Sequence, residues 1–222
     1  MKKFLENMVN KIKERAGQKF DPSVFNDPVA GMTEWTPLVR GGANFKTHKL
    51  VQVYANRYEF KPGLGMILFS MLFTFMGVGA AFMAIGASIY QEDFPVAVGV
   101  FMAIFGLVFV SVGLGIYWTS SKPRVFDKST GFYWRGRTDP NLMINPEYQN
   151  CTKLSDIYAV QIISEWVRGN KSSYTSYEFN LVLKDGKRIN AVDHGNYKAV
   201  RQDAETIASF LDIPVWDVVE KK

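Results

Sequence analysis

The stretch Ile89-Tyr90-Gln91-Glu92-Asp93-Phe94-Pro95, IYQEDFP, decides the fold class of this 222-residue chain. It lies within a tract, Gly63 to Ser121, that holds no other charged side chain. An apolar run precedes it over 64–90 and another follows it over 94–118, and each exceeds the about 20 residues that span the hydrocarbon core of a bilayer. We therefore predict two transmembrane helices over these ranges, joined by a tight turn that places both carboxylates outside the membrane.

The average composition conceals this division of the chain. Its mean hydropathy of -0.05 is that of an ordinary soluble protein, because the flanks of the apolar tract are rich in charged and polar residues. Two buried helices of a large globular core are the alternative interpretation, but such helices usually keep a polar stripe. The N-terminus lacks the apolar core of a signal peptide, and the single Cys151 fits a reducing compartment.

The lysines and arginines predict how the protein is oriented. The turn between the two spans has none, whereas both flanks are basic. The positive-inside rule places such flanks in the cytoplasm, so we expect both termini there and Glu92 and Asp93 on the opposite side. The flanking cations are Arg40, Lys46, Lys49, Arg57 and Lys61 before the first span and Lys122, Arg124, Lys128, Arg135 and Arg137 after the second.

Glycines recur at seven-residue spacing in both spans. They are Gly79 and Gly86 in the first and Gly99, Gly106 and Gly113 in the second. A seven-residue repeat keeps one stripe on one helix face, and glycine there lets two membrane helices approach closely. We predict that these residues form the close contact between the two helices of the hairpin. The spans carry no charge, so they offer no proton relay or ion site, which argues against a transporter or channel acting alone.

The chain before the first span has two predicted parts. Residues 1–19 alternate apolar and basic positions at helical spacing, which predicts a basic amphipathic helix. This helix either lies on an anionic cytoplasmic leaflet or packs on the protein's own domain. Residues 20–45, rich in proline and glycine without a period, are predicted to be an irregular connector.

Strand patterns flank the apolar tract on both sides. Residues 46–61 predict a β-hairpin around an Ala55-Asn56 turn, and residues 122–217 predict a cytoplasmic β-rich domain that includes a hairpin at Asp185-Gly186. A closing helix is predicted over 196–211, with Asn196 as its N-cap. This gives about seven strands and a C-terminal helix, with the membrane hairpin inserted between the second and third strands.

This order of elements resembles a pleckstrin-homology-like domain, a bent antiparallel sheet closed by a C-terminal helix. The segments GGANFKTHKLVQV (41–53), LSDIYAVQIISEWV (154–167), YEFNLVLKDGKRINAVDHG (177–195) and DAETIASFLDIPVWD (203–217) resemble those of a family of uncharacterised bacterial two-span inner-membrane proteins. The resemblance implies the topology and a location in the bacterial inner membrane. It implies no activity.

The residues suited to catalysis or metal binding are few. His48 and His194 are the only histidines, and Asp193-His194 before a helix is more simply a turn and cap than a base with its orienting carboxylate. Two distant histidines and one cysteine do not make a zinc-ligand pattern. Arg40-Gly-Gly-Ala lacks the residues of a phosphate-binding loop. We therefore expect no enzyme activity, no cofactor and no metal.

A basic surface near the membrane is a candidate for lipid-headgroup contact. It would consist of Lys122, Arg124, Arg135 and Arg137, each contributing about 1 kcal/mol close to an anionic leaflet. Ordinary positive-inside bias is the simpler interpretation of the same charges.

Aromatic residues cluster around the 169–173 loop. Trp166, Tyr174, Tyr177 and Phe179 fall on neighbouring predicted strands, where cross-strand aromatic pairs stabilise a sheet. We interpret them as packing residues rather than as a ligand cage.

These observations predict a membrane-anchored, non-catalytic binding or scaffolding module. Its expected partners are membrane lipids and either another protein or further copies of itself, with no role for nucleic acid. The alternative is an accessory subunit of a membrane enzyme or transport complex, which docks through its glycine-striped hairpin.

Overall fold

The computed structural model describes residues 20–140, 151–169 and 172–219, so the helix predicted over 1–19 lies outside the described residues. The helices there are α1 (Pro28–Met32), α2 (Leu64–Tyr90), α3 (Val96–Ser120) and α4 (Tyr197–Leu211). The strands there are β1 (His48–Tyr54), β2 (Arg57–Pro62), β3 (Arg124–Asp127), β4 (Phe132–Arg135), β5 (Cys151–Lys153), β6 (Ile157–Arg168), β7 (Ser173–Leu183), β8 (Arg188–His194) and β9 (Val215–Asp217).

The strands form two sheets. One has five antiparallel strands in the order β1-β2-β3-β4-β5, and the other has four in the order β8-β7-β6-β9, with β9 parallel to β6. An isolated bridge, Lys46 to His194, joins the segment before β1 to the end of β8. The described residues thus hold nine strands instead of about seven, since the three-residue strands β5 and β9 are too short to show alternation.

The apolar tract forms a helical hairpin between β2 and β3. Helix α2 covers the predicted range, whereas α3 begins and ends two residues later than predicted, because Pro95 is its N-cap. Both helices are long and apolar enough to cross a membrane, and few of their residues are buried. A lipid environment suits this exposed apolar surface, because every backbone group inside the helices is hydrogen-bonded.

Close packing between α2 and α3 uses a different stripe from the predicted one. Gly106 and Gly113 of α3 lie against α2. In contrast, nothing lies within 4 Å of the position that a Cβ would take at Gly79 or Gly86 of α2, and a Cβ at Gly99 would meet only the Phe94 ring. The predictions for these three glycines are wrong.

The residues of α2 that face α3 include Ser70, Gly77 and Ala84, which also repeat every seven positions. This stripe is offset by two residues, about 200° around a helix of 3.6 residues per turn, from Gly79 and Gly86. Close approach requires small side chains rather than glycine specifically. The seven-residue spacing predicted for the contact stripe of α2 is therefore correct, but the residues assigned to it are not.

The domain core lies between the two sheets and is closed by α4. Large buried side chains from both sheets meet there, with Phe60 and Phe179 in edge-to-face contact at 5.3 Å. Helix α4 covers them with Val200, Ala204 and Ile207. Its first turn is capped by the Asn196 side chain, which accepts a hydrogen bond from the Ala199 amide at 3.1 Å.

The range 20–45 is not merely an irregular connector. Its first part contains a 3-10 turn at Pro22–Phe25 and helix α1, each capped by an aspartate. Phe25, Trp35 and Trp216 form an aromatic cluster with α1 on the outer face of the four-stranded sheet. The prediction missed this layer because single aromatic anchors between turns have no periodicity.

Residues 34–42, here called the strap, continue across the same sheet. The buried carboxylate of Glu178 on β7 accepts hydrogen bonds from the Leu38 amide at 2.9 Å and the Val39 amide at 2.7 Å. Arg188 of β8 donates to the Thr36 carbonyl at 2.7 Å. The strap therefore binds the sheet through its backbone, as an irregular segment must when its amides lose water.

Candidate functional site

A polar relay lies where the α2–α3 hairpin meets the β domain. Arg124 of β3 donates to Nε2 of His48, whose Nδ1 lies 2.9 Å from the Thr47 hydroxyl. The Thr47 hydroxyl in turn donates to the Asp193 carbonyl. Nε2 also lies 3.3 Å from the Ser120 carbonyl. Arginine has no acceptor, so the closer contact with Arg124 assigns the His48 proton to Nδ1, and the relay then runs in one direction from β3 to β8.

Burial and the nearby Arg124 guanidinium lower the pKa of His48 to about 3. His48 is therefore neutral at physiological pH, and its role in the relay is that of a hydrogen-bonding group. A buried histidine with such a low pKa is a poor general base near pH 7.

His194 and Asp203 form a second buried pair beside the relay. The His194 Nε2 and the Asp203 Oδ2 are 3.8 Å apart, and neither atom has a hydrogen-bond partner among the described residues. Burial lowers the pKa of His194 to about 4 and raises the pKa of Asp203 to about 6. The distance alone would suggest an ion pair, but the two pKa directions leave His194 neutral wherever Asp203 is ionised.

Asp193 and His194 are the last two residues of β8 rather than the turn and cap that the sequence predicts, and the N-cap of α4 is Asn196. The Asp193 carboxylate accepts from Asn190 at 2.9 Å, and alternation along β8 puts it on the sheet face opposite to His194. Asp193 therefore does not orient the His194 ring.

Asp203→Asn should stabilise the protein at neutral pH. The folded pKa of about 6 lies above the usual 3.8, so the unfavourable burial of the ionised carboxylate sets in as pH rises through this window and is absent below about pH 4. Thermal unfolding in detergent should show a gain of up to about 3 kcal/mol at pH 7.5 and none at pH 4. Glu92→Gln, on the exposed turn, is the control and should change little. Equal stability of Asp203→Asn and the original protein at pH 7.5 would contradict the assignment.

A cleft of about 390 Å³ opens next to the relay. Strand β4 contributes Tyr133 and Arg135, and the strap closes one side. The remaining lining comes from the start of β8, and the full set is Leu38, Val39, Tyr133, Arg135, Arg188, Ile189 and Asn190.

The Tyr133 hydroxyl is the most informative group of this cleft. The residue is only 1% exposed, yet its hydroxyl has no hydrogen-bond partner within the described part of the chain. Burial raises the pKa of Tyr133 to about 12, so the hydroxyl keeps its proton and is available as a donor. A buried polar group without a partner is rare in native proteins and calls for an explanation such as a ligand or bound water.

Two arginines, Arg124 and Arg135, lie near this hydroxyl. Arg124 and Arg135 are directly opposite each other on β3 and β4, an arrangement that is unfavourable for like charges. The described residues place no carboxylate within 4.0 Å of either guanidinium, and the buried Nε of Arg124 has no partner among them. Burial and Arg135 lower the pKa of Arg124 to about 10, so it stays charged at pH 7.

The other charged groups near the cleft are already engaged, including Glu178, whose buried carboxylate binds the Leu38 and Val39 amides and attracts Arg188. Arg188 donates to the Thr36 carbonyl and pairs with Glu34 at 3.3 Å. Burial raises the pKa of the Asp193 carboxyl to about 6, so it is mostly ionised at pH 7, where it attracts Arg124 and accepts a hydrogen bond from Asn190. The cleft therefore keeps two donors that have no acidic partner within 4.0 Å among the described residues, the Tyr133 hydroxyl and the Arg135 guanidinium.

The four predicted lipid-contact residues do not share one surface. Lys122, Arg135 and Arg137 are exposed, and Arg137 stacks on Trp118 at 4.2 Å near the end of α3. Arg124 is only 6% exposed and bonds to His48, so its prediction as a surface contact is wrong. It lies behind the cleft instead.

Comparison of the chain with family models, curated proteins and solved structures gives no match. Within the described ranges, no group of three or more histidine, cysteine, aspartate or glutamate side chains could hold a metal ion. The chemistry of the site therefore has to be inferred from its own donors, which suit the reversible binding of an anion.

The sequence contained one unused signal for this cleft. In Phe132-Tyr-Trp-Arg135 a strand alternation puts Tyr133 and Arg135 on one face. The sequence did not show that Arg135 pairs with Arg124 across β3 and β4, or that the strap covers this face.

Proposed function

We propose that the protein is a membrane-anchored, non-catalytic binding module of the bacterial inner membrane, with both termini in the cytoplasm. The lysines and arginines flanking α2 and α3, and their absence from the turn, support this orientation. The hairpin holds the β domain at the membrane surface, and the domain recognises the partner.

The architecture supports a pleckstrin-homology-like assignment of the domain. The first four strands of the five-stranded sheet, the three antiparallel strands β6 to β8 and the closing helix α4 follow one another in the order of that fold. The membrane hairpin is then an insertion between its second and third strands, while β5, β9 and the strap are additions.

We further propose that the cleft binds an anionic group, a phosphate or carboxylate. The observation that carries this is the buried Tyr133 hydroxyl, partnerless among the described residues, beside two opposed arginines that lack acidic partners there. An anion would accept a hydrogen bond from Tyr133, pair with Arg135 and relieve the repulsion between Arg135 and Arg124. Arg135 of the cleft is two residues before Arg137, which lies outside the cleft and stacks on Trp118 near the end of α3, so a lipid phosphate and a soluble phosphate are both within the chemistry of the site.

Calorimetric titration of the full chain with inorganic phosphate tests this proposal. In nanodiscs of neutral phosphatidylcholine we expect saturable binding, weakened about tenfold or more by Tyr133→Phe and by Arg135→Gln, since one hydrogen bond to a charged group is worth about 1.5–3 kcal/mol. Arg137→Gln, which removes an exposed cation outside the cleft, is the matched control. Tyr133→Phe should leave the melting temperature without phosphate unchanged or higher, because it removes an unpaired buried hydroxyl.

The lipid composition separates the two sources of phosphate. If a lipid headgroup occupies the cleft, nanodiscs that contain phosphatidylglycerol should suppress the binding of added phosphate to the original chain. If the ligand is soluble, phosphate should bind equally in both kinds of disc. Absence of any binding, or equal binding by Tyr133→Phe and the original chain, would refute the anion site.

The accessory-subunit function is a second candidate. Gly79 and Gly86 of α2 are open, with nothing within 4 Å of a Cβ built on them, so that face is free to meet another helix. Leucine at these two positions would block such a contact without disturbing α3.

A further inference from the structure

The β6–β7 hairpin extends beyond the rest of its sheet. His194, the last residue of β8, is opposite Tyr177, and four further residue pairs of β6 and β7 continue past it. They are Glu165–Ser176, Trp166–Thr175, Val167–Tyr174 and Arg168–Ser173. At about 3.3 Å per residue the extension measures roughly 13 Å.

Contacts of residues 45–47 show where this extension is directed. The Thr47 carbonyl accepts from the Gly63 amide at 2.7 Å, just before α2, and the Phe45 ring lies 6.2 Å from the Phe69 ring, inside α2. Thr47 is therefore level with the start of α2, and Phe45 is level with a residue further along that helix.

The same short segment is antiparallel to β8 through the Lys46–His194 bridge. Strand β8, read from its first to its last residue, consequently runs in the same direction as α2 does when it leaves the domain. The extension of β6 and β7 beyond His194 thus projects alongside the first turns of α2. Its length of roughly 13 Å equals the rise of about nine helical residues.

The strap fixes the extension in this position. The Glu165 carboxylate accepts from the amides of Gly41 and Gly42, and the Tyr174 hydroxyl donates to the Gly42 carbonyl at 2.8 Å. Gly42 precedes Phe45 by three residues, so it lies still further along the direction of α2. The extension is tied to a segment that itself follows the helix.

The chemistry of the extension suits a membrane interface. Trp166 is 60% exposed and is opposite Thr175, so the prediction that it forms a cross-strand aromatic pair is wrong. Arg168 is exposed beside it, and Arg40 and Lys46 are exposed on the neighbouring segment. Exposed tryptophan is typical of the headgroup layer, and cations there attract anionic lipids.

We propose that the tip of the β6–β7 hairpin, with Trp166 and Arg168, inserts into the headgroup layer of the leaflet from which α2 enters. It forms a second membrane contact beside the helical hairpin and sets the tilt of the β domain. This inference rests on the proposed membrane span of α2 and is independent of the anion cleft.

Spin-label accessibility measures the depth of the tip in the full chain. In a Cys151→Ser background, one cysteine is introduced at a time at Arg168, at Phe75 in the middle of α2, or at Tyr54, which is 69% exposed on the β1–β2 turn. The proteins are studied in nanodiscs of phosphatidylcholine and phosphatidylglycerol. Oxygen and a water-soluble nickel chelate report lipid and aqueous exposure respectively.

We expect the label at residue 168 to show an oxygen-to-nickel ratio between those of residue 75 and residue 54. Adding Trp166→Ala should shift residue 168 towards the aqueous value of residue 54. If residue 168 is as aqueous as residue 54 while residue 75 is in lipid, the hairpin contact is refuted and the span stands. If residue 75 is aqueous as well, both fail. Binding of phosphate by Trp166→Ala should be unchanged, which keeps this result separate from the cleft.

Discussion

Gly113→Leu is expected to separate α2 from α3 and to cause the largest loss of stability of any single change in the hairpin. A Cβ at Gly113 would lie 2.7 Å from the Thr74 amide nitrogen and 2.8 Å from the Ser70 carbonyl oxygen. Both are backbone atoms, so neither can rotate away and the helices must move apart. Overpacking typically costs about 1–3 kcal/mol, and we expect Gly113→Leu at the upper end of that range, seen as a lower melting temperature in detergent.

Gly106→Leu should behave in the same way, because its Cβ would lie 2.7 Å from the Gly77 carbonyl oxygen. Gly115→Leu is the matched control on the same helix, since nothing lies within 4 Å of a Cβ there. If Gly113→Leu and Gly115→Leu melt at the same temperature, the close contact described for α2 and α3 is absent from the folded protein.

The same series separates the two candidate functions. Gly79→Leu and Gly86→Leu should leave the hairpin intact, because these positions face away from α3. If the protein is an accessory subunit that docks through this face, they should abolish co-purification of the partner from native membranes. Tyr133→Phe should instead leave the co-purification of that partner unchanged. Retention of every partner in the Gly79 and Gly86 variants would exclude docking through this face.

Glu178→Ala is expected to release the strap from the four-stranded sheet. Its carboxylate holds the Leu38 and Val39 amides and also accepts from Asn180 at 2.8 Å, in a fully buried setting. Hydrogen bonds to a charged group contribute about 1.5–3 kcal/mol each, so losing the two that hold the strap should lower the free energy of unfolding by about 3 kcal/mol or more. Trypsin should cut more quickly after the exposed Arg40, as followed by mass spectrometry of the full chain.

Glu165→Ala is the matched control for the strap. Its carboxylate also binds strap amides, those of Gly41 and Gly42, but at 3.1–3.4 Å and at the surface. It should therefore lower the free energy of unfolding much less than Glu178→Ala does, and this difference rather than the cleavage rate separates the two variants, because the Gly41 amide belongs to the scissile Arg40–Gly41 bond. An unchanged rate of cleavage in Glu178→Ala would show that the aromatic cluster around Trp35 holds the strap without the carboxylate.

Sequence patterns predicted the parts of this fold that have sharp local signals. Apolar runs without charge gave the limits of α2, and the Asp185-Gly186 pair and Asn196 gave a turn and a helix start that the structure contains. The register of the α2–α3 contact could not be predicted, because both helices are apolar on every face and any small residue serves as well as glycine.

The candidate site depended on long-range pairing and was therefore largely missed. Arg124 and Arg135 are separated by eleven positions in the sequence and become opposed only through the β3–β4 register. Glu178 lies in a strand whose pattern gave no reason to expect a buried carboxylate with partners about 140 residues away. Trp166 belongs to a regular strand alternation, but that pattern does not show where the neighbouring strand ends.

The place at which the hairpin interrupts the domain links membrane insertion to folding. Strands β2 and β3 are hydrogen-bonded neighbours, yet the chain between Pro62 and Arg124 forms the two helices that we propose cross the bilayer and return. A chain whose second helix failed to return would leave β1 and β2 on one side of the membrane and β3 on the other, and the five-stranded sheet could never close. The β domain can thus be completed only when both flanks of the hairpin are on the same side of the membrane. A chain inserted with the wrong topology would expose unpaired strand edges, which quality-control proteases could recognise.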